Sequence, residues 1–310
     1  MAIVLITGGT GMIGTALTKV LIGQNHDVII LSRNPTPART SEKRDRVSYA
    51  QWDIKNQTID KDAVAKADYI IHLAGAGVAD KRWTKKRKHE IVDSRVKSGE
   101  LIVKALQENS NKVKAVFSSS GVGWYGPDPS IPNPRPFTEE DPVSDDFLGT
   151  TCHLWEASLA PVTKMGKRLV RFRTGIVLTN DGGAIKEFLR PIRFGLATIL
   201  GNGRQIVSWI YIDDLVNLYL RAIENENMQG VYNAVAPAPV SNKELILKLA
   251  KAKRGNLFIP VYVPAFALKL VLGEMSTEVL KSATVSCSRL LATGFKFSYP
   301  SIDEAIKELA

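Results

Sequence analysis

Ile3-Val4-Leu5-Ile6-Thr7-Gly8-Gly9-Thr10-Gly11-Met12-Ile13-Gly14 decides the fold of this chain. The apolar run Ile3–Ile6 reads as a buried strand. The positions after the glycines (Ala16, Leu17, Val20, Leu21) carry helical periodicity. A strand, a glycine turn and a helix in that order form a dinucleotide-binding unit. Glycines let the backbone turn sharply and let a pyrophosphate approach it, and the helix N-terminus offers free N–H groups and a positive dipole end. Gly9, Gly11 and Gly14 make the G-x-G-x-x-G spacing, and Gly8, Gly11 and Gly14 the wider G-x-x-G-x-x-G spacing. Thr10, Met12 and Ile13 complete the predicted cofactor-binding stretch. A tight turn that only packs a helix onto a strand is the plainer alternative.

Asp27–Leu31 reads as the second buried parallel strand. In NAD-binding proteins an acidic residue often ends this strand and accepts from the ribose 2′-hydroxyl. Here Ser32-Arg33 stands there instead. A guanidinium pairs with a 2′-phosphate in two-pronged fashion, whereas a carboxylate would repel it. The predicted cofactor is therefore NADP(H). Arg39, Lys43 and Arg44 follow and add positive potential. Asp53 closes a third apolar stretch, Val47–Trp52, and either reaches the adenine amino group or caps a turn.

Alternation continues along the chain. Strands are expected at Tyr69–Leu73, Val113–Ser118 and Leu169–Thr174, with helices over Thr84–Glu108 and Phe147–Lys164. Alternating strands and helices imply an α/β Rossmann fold, a doubly wound parallel sheet. From Gly175 the pattern becomes glycine-punctuated and loop-rich. We therefore place an NADP-binding Rossmann domain at 1–175, with contributions from about 205–235. A smaller C-terminal, substrate-side lobe follows at 176–310. Ser241-Asn242-Lys243-Glu244 and Ser301-Ile302-Asp303-Glu304 read as capping boxes, and Asp213 and Asp214 as caps of the next helix.

The 310 residues are 45% hydrophobic, ample for a sizeable core. A net charge of +10 makes anionic partners plausible. Its densest source, Lys81–His89, reads first as a solvated helix face. Nucleic acid is an unfavoured partner, because only Trp83 interleaves the run and no recognition module accompanies it. Two cysteines, Cys152 and Cys287, exclude a disulfide framework. No apolar run reaches membrane-spanning length, so no membrane partner is expected and a cytoplasmic location is. The expected state is monomer or homodimer.

The chain resembles the extended short-chain dehydrogenase/reductases. The resemblance rests on Thr7–Gly14, His72-Leu73-Ala74-Gly75 and Ser118-Ser119-Ser120 followed by Trp124-Tyr125-Gly126. More closely, it is similar to their "epimerase family protein" branch. There the matching pieces are Arg82-Trp83, Ser94-Arg95, Trp155-Glu156, Arg173–Leu178, Gly201–Gln205 and Ser208–Leu215, with a C-terminal domain running to Ala292–Phe295. The resemblance implies NADP(H) over Gly8–Gly14, with Leu73, Ala74 and Gly75 on its adenosine and ribose side. It also implies Glu90 on a ribose hydroxyl, Arg95 on a phosphate, Ser118 within the cofactor set, and Phe172 and Thr174 beside the nicotinamide.

These enzymes usually pair Tyr-x-x-x-Lys with a Ser, and the Tyr hydroxyl moves a proton as hydride transfers. With Glu156 aligned on the usual helix, the Tyr and Lys positions fall on Leu148 and Cys152, and no Tyr-x-x-x-Lys lies between Gly126 and Arg173. Ser120 remains as a polarising hydroxyl, and Tyr125 is the nearest phenol, which either substitutes as an acid or, as the plainer alternative, is a packed core tyrosine. The substrate side is assigned to Arg204, Gln205 and Trp209, a set suited to a small anionic or polyhydroxy ligand, or equally to a hairpin stabilised by its own side chains. Two functions follow: an oxidoreductase or epimerase on a carbonyl or polyhydroxy substrate, or a non-catalytic NADP(H)-binding sensor or interaction protein.

Overall fold

The computed structural model describes residues 1–34 and 46–309. Arg39, Lys43 and Arg44 lie outside the described residues. Fourteen strands are present among the described ones: β1 (Ile3–Thr7), β2 (Asp27–Ser32), β3 (Val47–Asp53), β4 (Thr58–Ile59), β5 (Tyr69–His72), β6 (Ala115–Gly121), β7 (Arg168–Thr174), β8 (Ile176–Leu178), β9 (Leu196–Leu200), β10 (Ile206–Val207), β11 (Trp209–Tyr211), β12 (Gly230–Ala234), β13 (Val240–Ser241) and β14 (Ile259–Val263). Eight form one sheet in the order β4-β3-β2-β1-β5-β6-β7-β12, parallel throughout except for the short β4. The remainder make three two-stranded pairs, β8/β11, β9/β14 and β10/β13.

The chain runs outward from β1 in one direction through β2 and β3. It then restarts on the other side of β1 with β5. That reversal is where a doubly wound sheet opens a crevice beyond its strand ends. Side chains alternate across β1. Val4 and Ile6 enter one core with helix α1 (Met12–Gly23), while Leu5 enters the other with Trp52, Ile102 and Leu106. Helices α2 (Lys61–Lys66) and α3 (Lys85–Glu108) cover that second face. Thr84 caps α3 by accepting from Arg87 N at 3.1 Å. The expected helix over Phe147–Lys164 is two: α4 (Phe147–Ser158) and α5 (Pro161–Lys164). Pro161 restarts the chain at a position where a helix needs no N–H donor.

The later half adds α6 (Gly183–Ile192), α7 (Ile212–Glu224), α8 (Asn242–Arg254), α9 (Ala265–Leu272) and a final helix, Ile302–Leu309. One half of each predicted capping box forms. Ser241 Oγ accepts from Glu244 N at 3.1 Å, and Glu304 Oε2 accepts from Ser301 N at 2.9 Å. The expected capping role of Asp213 and Asp214 needs correction. Both lie inside the first turn of α7, and buried Asp214 accepts from Ser298 N at 2.7 Å and Tyr299 N at 3.0 Å. It fastens the C-terminal segment to the helix, and burial raises its carboxyl pKa.

Candidate nucleotide cleft and the polar cluster behind it

A cleft of about 810 Å³ opens at the carboxyl ends of β1, β2, β3 and β5. Gly8, Thr10 and Gly11 form its floor, and Ser32, Arg33, Asp53 and Lys55 one rim. Leu73–Gly77 and the α3 residues Arg87, Glu90, Ser94 and Lys97 make the opposite wall. The glycines explain its shape. Gly8 holds φ +69°, and a Cβ there would lie 3.0 Å from the backbone of Leu73 and Ala74. A Cβ on Gly14 would sit 2.4 Å from Gly8 O. Gly9 is different: it is buried and its missing Cβ makes room for the Ile30 side chain at 2.8 Å, so its role is packing.

Gly11 precedes α1 with no side-chain cap. The first-turn N–H groups of Met12, Ile13 and Gly14 have no partner within the helix. The Met12 sulfur itself packs 3.5 Å from the Cβ position of Gly183, and Ile13 against the core. A backbone cradle with uncapped donors and a cationic rim fits an anionic dinucleotide. Ser32 Oγ closes a local turn on Asn34 O at 3.1 Å, which leaves Arg33 exposed on the rim. Asp53 lies in the cleft but spends its carboxylate on a turn, accepting from Lys55 N at 2.8 Å and Asn56 N at 3.1 Å. Those bonds, with that of the Asn56 side chain, hold its pKa below the usual carboxylate range.

The α3 wall is stapled. Thr7 Oγ1 accepts from Leu73 N and Ala74 N, both at 3.2 Å. Ala76 N donates to Ser94 Oγ at 2.9 Å, and Ala76 O accepts from Arg95 Nη1 at 2.9 Å. Gly77 O accepts from Arg87 Nη2 at 2.6 Å, and Val78 O from Trp83 Nε1 at 2.9 Å. Arg95 is thereby corrected. It does not line the cleft but is buried behind Gly75, with its guanidinium 5.0 Å over the Trp155 ring. Glu90 does line the cleft, and its ion pair with Arg87 at 2.8 Å lowers its pKa. Arg87 is the wall residue the sequence reading missed. It belongs to the basic run read as a solvated face, yet it is buried.

Deeper along β6 and β7 lies a closed polar cluster. Ser120 Oγ donates to Glu156 Oε1 at 2.8 Å. Glu156 receives Arg173 Nε at 2.9 Å and Nη2 at 3.2 Å. Arg173 Nη1 donates to Tyr125 Oη at 3.1 Å and to Glu139 O at 3.2 Å. The Tyr125 hydroxyl donates to Asn233 Oδ1 at 2.6 Å, and Asn233 N donates to Glu139 Oε1 at 2.7 Å. Tyr125 has no exposed surface and stacks on Phe137 at 5.3 Å. Burial pushes its pKa up to about 12, against the pull of Arg173. Of the two alternatives for Tyr125, the structure has the packed core residue, held by two hydrogen bonds. Cys152, at the expected Lys position, packs its thiol 3.6 Å from Gly121 O, and burial pushes that thiol up to about 11. Arg173, Glu139 and Asn233 were not read as a unit from the sequence. Only their chemical types, with Arg173 and Glu156 in matched motifs, hinted at one.

Six further residues of the predicted site are held as follows. Ser118 is buried within β6 and donates to Ser119 O at 2.9 Å. Phe172 is wholly buried, edge-on to Tyr219 at 4.8 Å, so it faces the core. Thr174, half-buried at the end of β7, donates to Phe172 O at 3.2 Å. Trp209 is fully buried and donates to Ala238 O at 2.9 Å. Gln205 donates to Leu200 O at 3.0 Å, and Arg204 to Ile131 O at 3.2 Å. Gln205 and Trp209 are buried and brace the segments around them, whereas Arg204 is exposed. Among the described residues no group of His, Cys, Asp and Glu is placed to hold a metal, and no helix is long and apolar enough to cross a membrane.

Sheet order, glycine floor and cationic rim together define a dinucleotide-binding α/β protein of Rossmann type. The chain belongs to the NAD dependent epimerase/dehydratase family, whose model matches residues 4–148 and 175–234. A second model, a domain of unknown function, matches 263–309. An epimerase family protein of Staphylococcus saprophyticus is 37% identical over 306 residues, 98% of each chain. Human epimerase family protein SDR39U1 is 33% identical over 310 residues, 99% of each. Its crystal structure with NADPH superposes with a TM-score of 0.86, at 32% identity and 99% coverage of both chains. UDP-glucuronic acid 4-epimerase from Bacillus cereus, solved with UDP-glucuronic acid and NAD, shares the fold alone. There the TM-score is 0.79 and the identity 20%, over 99% of this chain and 97% of that one.

Proposed function

We propose that this chain binds NADPH in the cleft and that it does so without the proton-transfer pair usual in short-chain dehydrogenase/reductases. One observation carries the second half of that reading. Every residue available for the proton step is committed elsewhere: Ser120 to Glu156, Tyr125 to Asn233, with Leu148 and Cys152 at the expected Tyr and Lys positions. The human relative solved with NADPH, together with exposed Arg33 on the rim, supports the cofactor choice. The protein then works as an NADP(H)-binding sensor or interaction protein. The competing reading is an oxidoreductase or epimerase acting on a small carbonyl or polyhydroxy substrate. It is favoured by the place of Ser120 at the carboxyl end of β6, where a hydroxyl released from Glu156 could polarise a carbonyl.

Fluorescence titration with NADPH and NADH tests the binding. Saturable NADPH binding with a clear preference over NADH is expected, and binding of neither nucleotide sinks the reading. With NADPH bound, Ser120→Ala separates the two functions. Stoichiometric oxidation of NADPH by a carbonyl compound would establish a reductase, and interconversion of nucleotide-sugar epimers with no net cofactor turnover an epimerase, either activity being lost in that variant.

A further inference from the structure

The second matched region begins with a surface that the nucleotide cleft does not use. Helix α9 reads Ala265-Phe266-Ala267-Leu268-Lys269-Leu270-Val271-Leu272, and only Leu268 is buried. Phe266, Leu270 and Val271 are 76%, 78% and 71% exposed. The i,i+4 spacing of Phe266 and Leu270 sets them on one stripe, with Val271 beside it. Soluble proteins seldom leave so apolar a helix face in water, and such faces mark interaction sites. The preceding strand β14 is similarly exposed at Ile259, Val261 and Tyr262.

The charge around α9 selects the occupant. Gly273 ends the helix, and a Cβ there would touch the Arg82 guanidinium at 2.6 Å. Lys88 pairs with Glu274 one residue on. The basic run Lys81–Lys88 is therefore laid against the end of the apolar helix. Those eight residues hold six cations and no acid. Lys81, Arg82, Lys85 and Lys86 are exposed, as is Lys269 within α9. The local acids are already engaged: Glu274 with Lys88, and Glu278 with Lys281. An apolar stripe beside a cationic shelf complements a surface with anionic headgroups above an acyl layer.

We propose that α9 and the basic run form a peripheral docking face for anionic phospholipid membranes. Phe266, Leu270 and Val271 enter the headgroup boundary, and Lys81, Arg82, Lys85 and Lys86 lie over anionic headgroups. No spanning segment is required, and none of these residues lines the nucleotide cleft.

Flotation of the full chain with vesicles tests this. Binding to phosphatidylcholine vesicles containing phosphatidylserine is expected, with none to phosphatidylcholine alone, and added salt should release it. Each cation near such a surface changes partition about five-fold, so the double reversal Lys85→Glu/Lys86→Glu abolishes flotation. Phe266→Ser/Leu270→Ser abolishes it without changing net charge. All four substituted side chains are exposed, so circular dichroism and urea midpoints should match the wild type. The proposal is overturned by failure to float on the anionic vesicles, or by flotation that survives both double variants. It is equally overturned if sedimentation equilibrium shows a dimer that Phe266→Ser/Leu270→Ser dissociates, because a second copy then covers the face.

Discussion

Replacing Glu156 by Ala tests whether the buried cluster supports the fold or faces a ligand. Arg173 is 3% exposed, and two of its donors end on the Glu156 carboxylate at 2.9 and 3.2 Å. Removing the carboxylate leaves a buried guanidinium uncompensated, which typically costs about 3–5 kcal/mol. Ser120 Oγ loses its acceptor too and adds about 1 kcal/mol. Removing both charges behaves differently. Glu156→Leu/Arg173→Met should be less destabilised than Glu156→Ala, because no lone charge is left in the core. The assay is urea unfolding followed by tryptophan fluorescence, with NADPH titrated well below the transition. Expected are a large drop in midpoint at unchanged slope, partial recovery in the double variant, and unaltered NADPH affinity. A Glu156→Ala protein of wild-type stability that has lost nucleotide binding would refute the structural role and place that carboxylate at the ligand.

Three more expectations can be checked together. Gly14→Ala should abolish NADPH binding in titration, since its methyl would lie 2.4 Å from Gly8 O, a backbone atom that cannot move aside cheaply. Arg33→Ser should weaken NADPH about ten-fold while leaving NADH unchanged. That is the low end for a charged hydrogen bond, because the rim is open to water; equal losses for the two nucleotides would refute the 2′-phosphate assignment. His72 is buried between Thr7 and Ser98, and burial, then Arg95, lowers its pKa to about 3 from 6.5. The unfolded chain therefore binds a proton that the folded one rejects. This contribution is fully present above pH 6.5 and is lost as pH falls toward 3, about 2 kcal/mol between pH 7 and 5. His72→Gln should flatten the stability profile across that window, as read by urea midpoints.

Much of the fold is local information, and so it is readable along the chain. Ile3–Ile6, Asp27–Leu31 and Val47–Trp52 are mainly apolar stretches, and the strands found there extend each by one residue. The glycine turn is legible for the same reason: its geometry is imposed by residues within one turn of each other. The polar cluster is not legible, because Tyr125 meets Asn233 across 108 positions and Arg173 across 48. A phenol after Trp124 looks the same in sequence whether it points at a ligand or into the core. Arg204, Gln205 and Trp209 are ambiguous in the same way, since a loop that binds and a loop that braces itself use the same polar side chains. Arg87 was hidden by its neighbours. A run of six cations reads as solvated, and only the fold shows that one of them turns inward to Gly77.

The four hydrogen bonds that pin residues 76–78 and Trp83 to one another and to α3 have a kinetic consequence. A wall fixed during folding has no segment left to order when a nucleotide arrives. Association is then governed by diffusion and long-range attraction to a chain of net charge +10, so the on-rate should decline as ionic strength rises. At this wall, among the described residues, nothing has to open, so release from it depends on rupture of the ligand's own contacts.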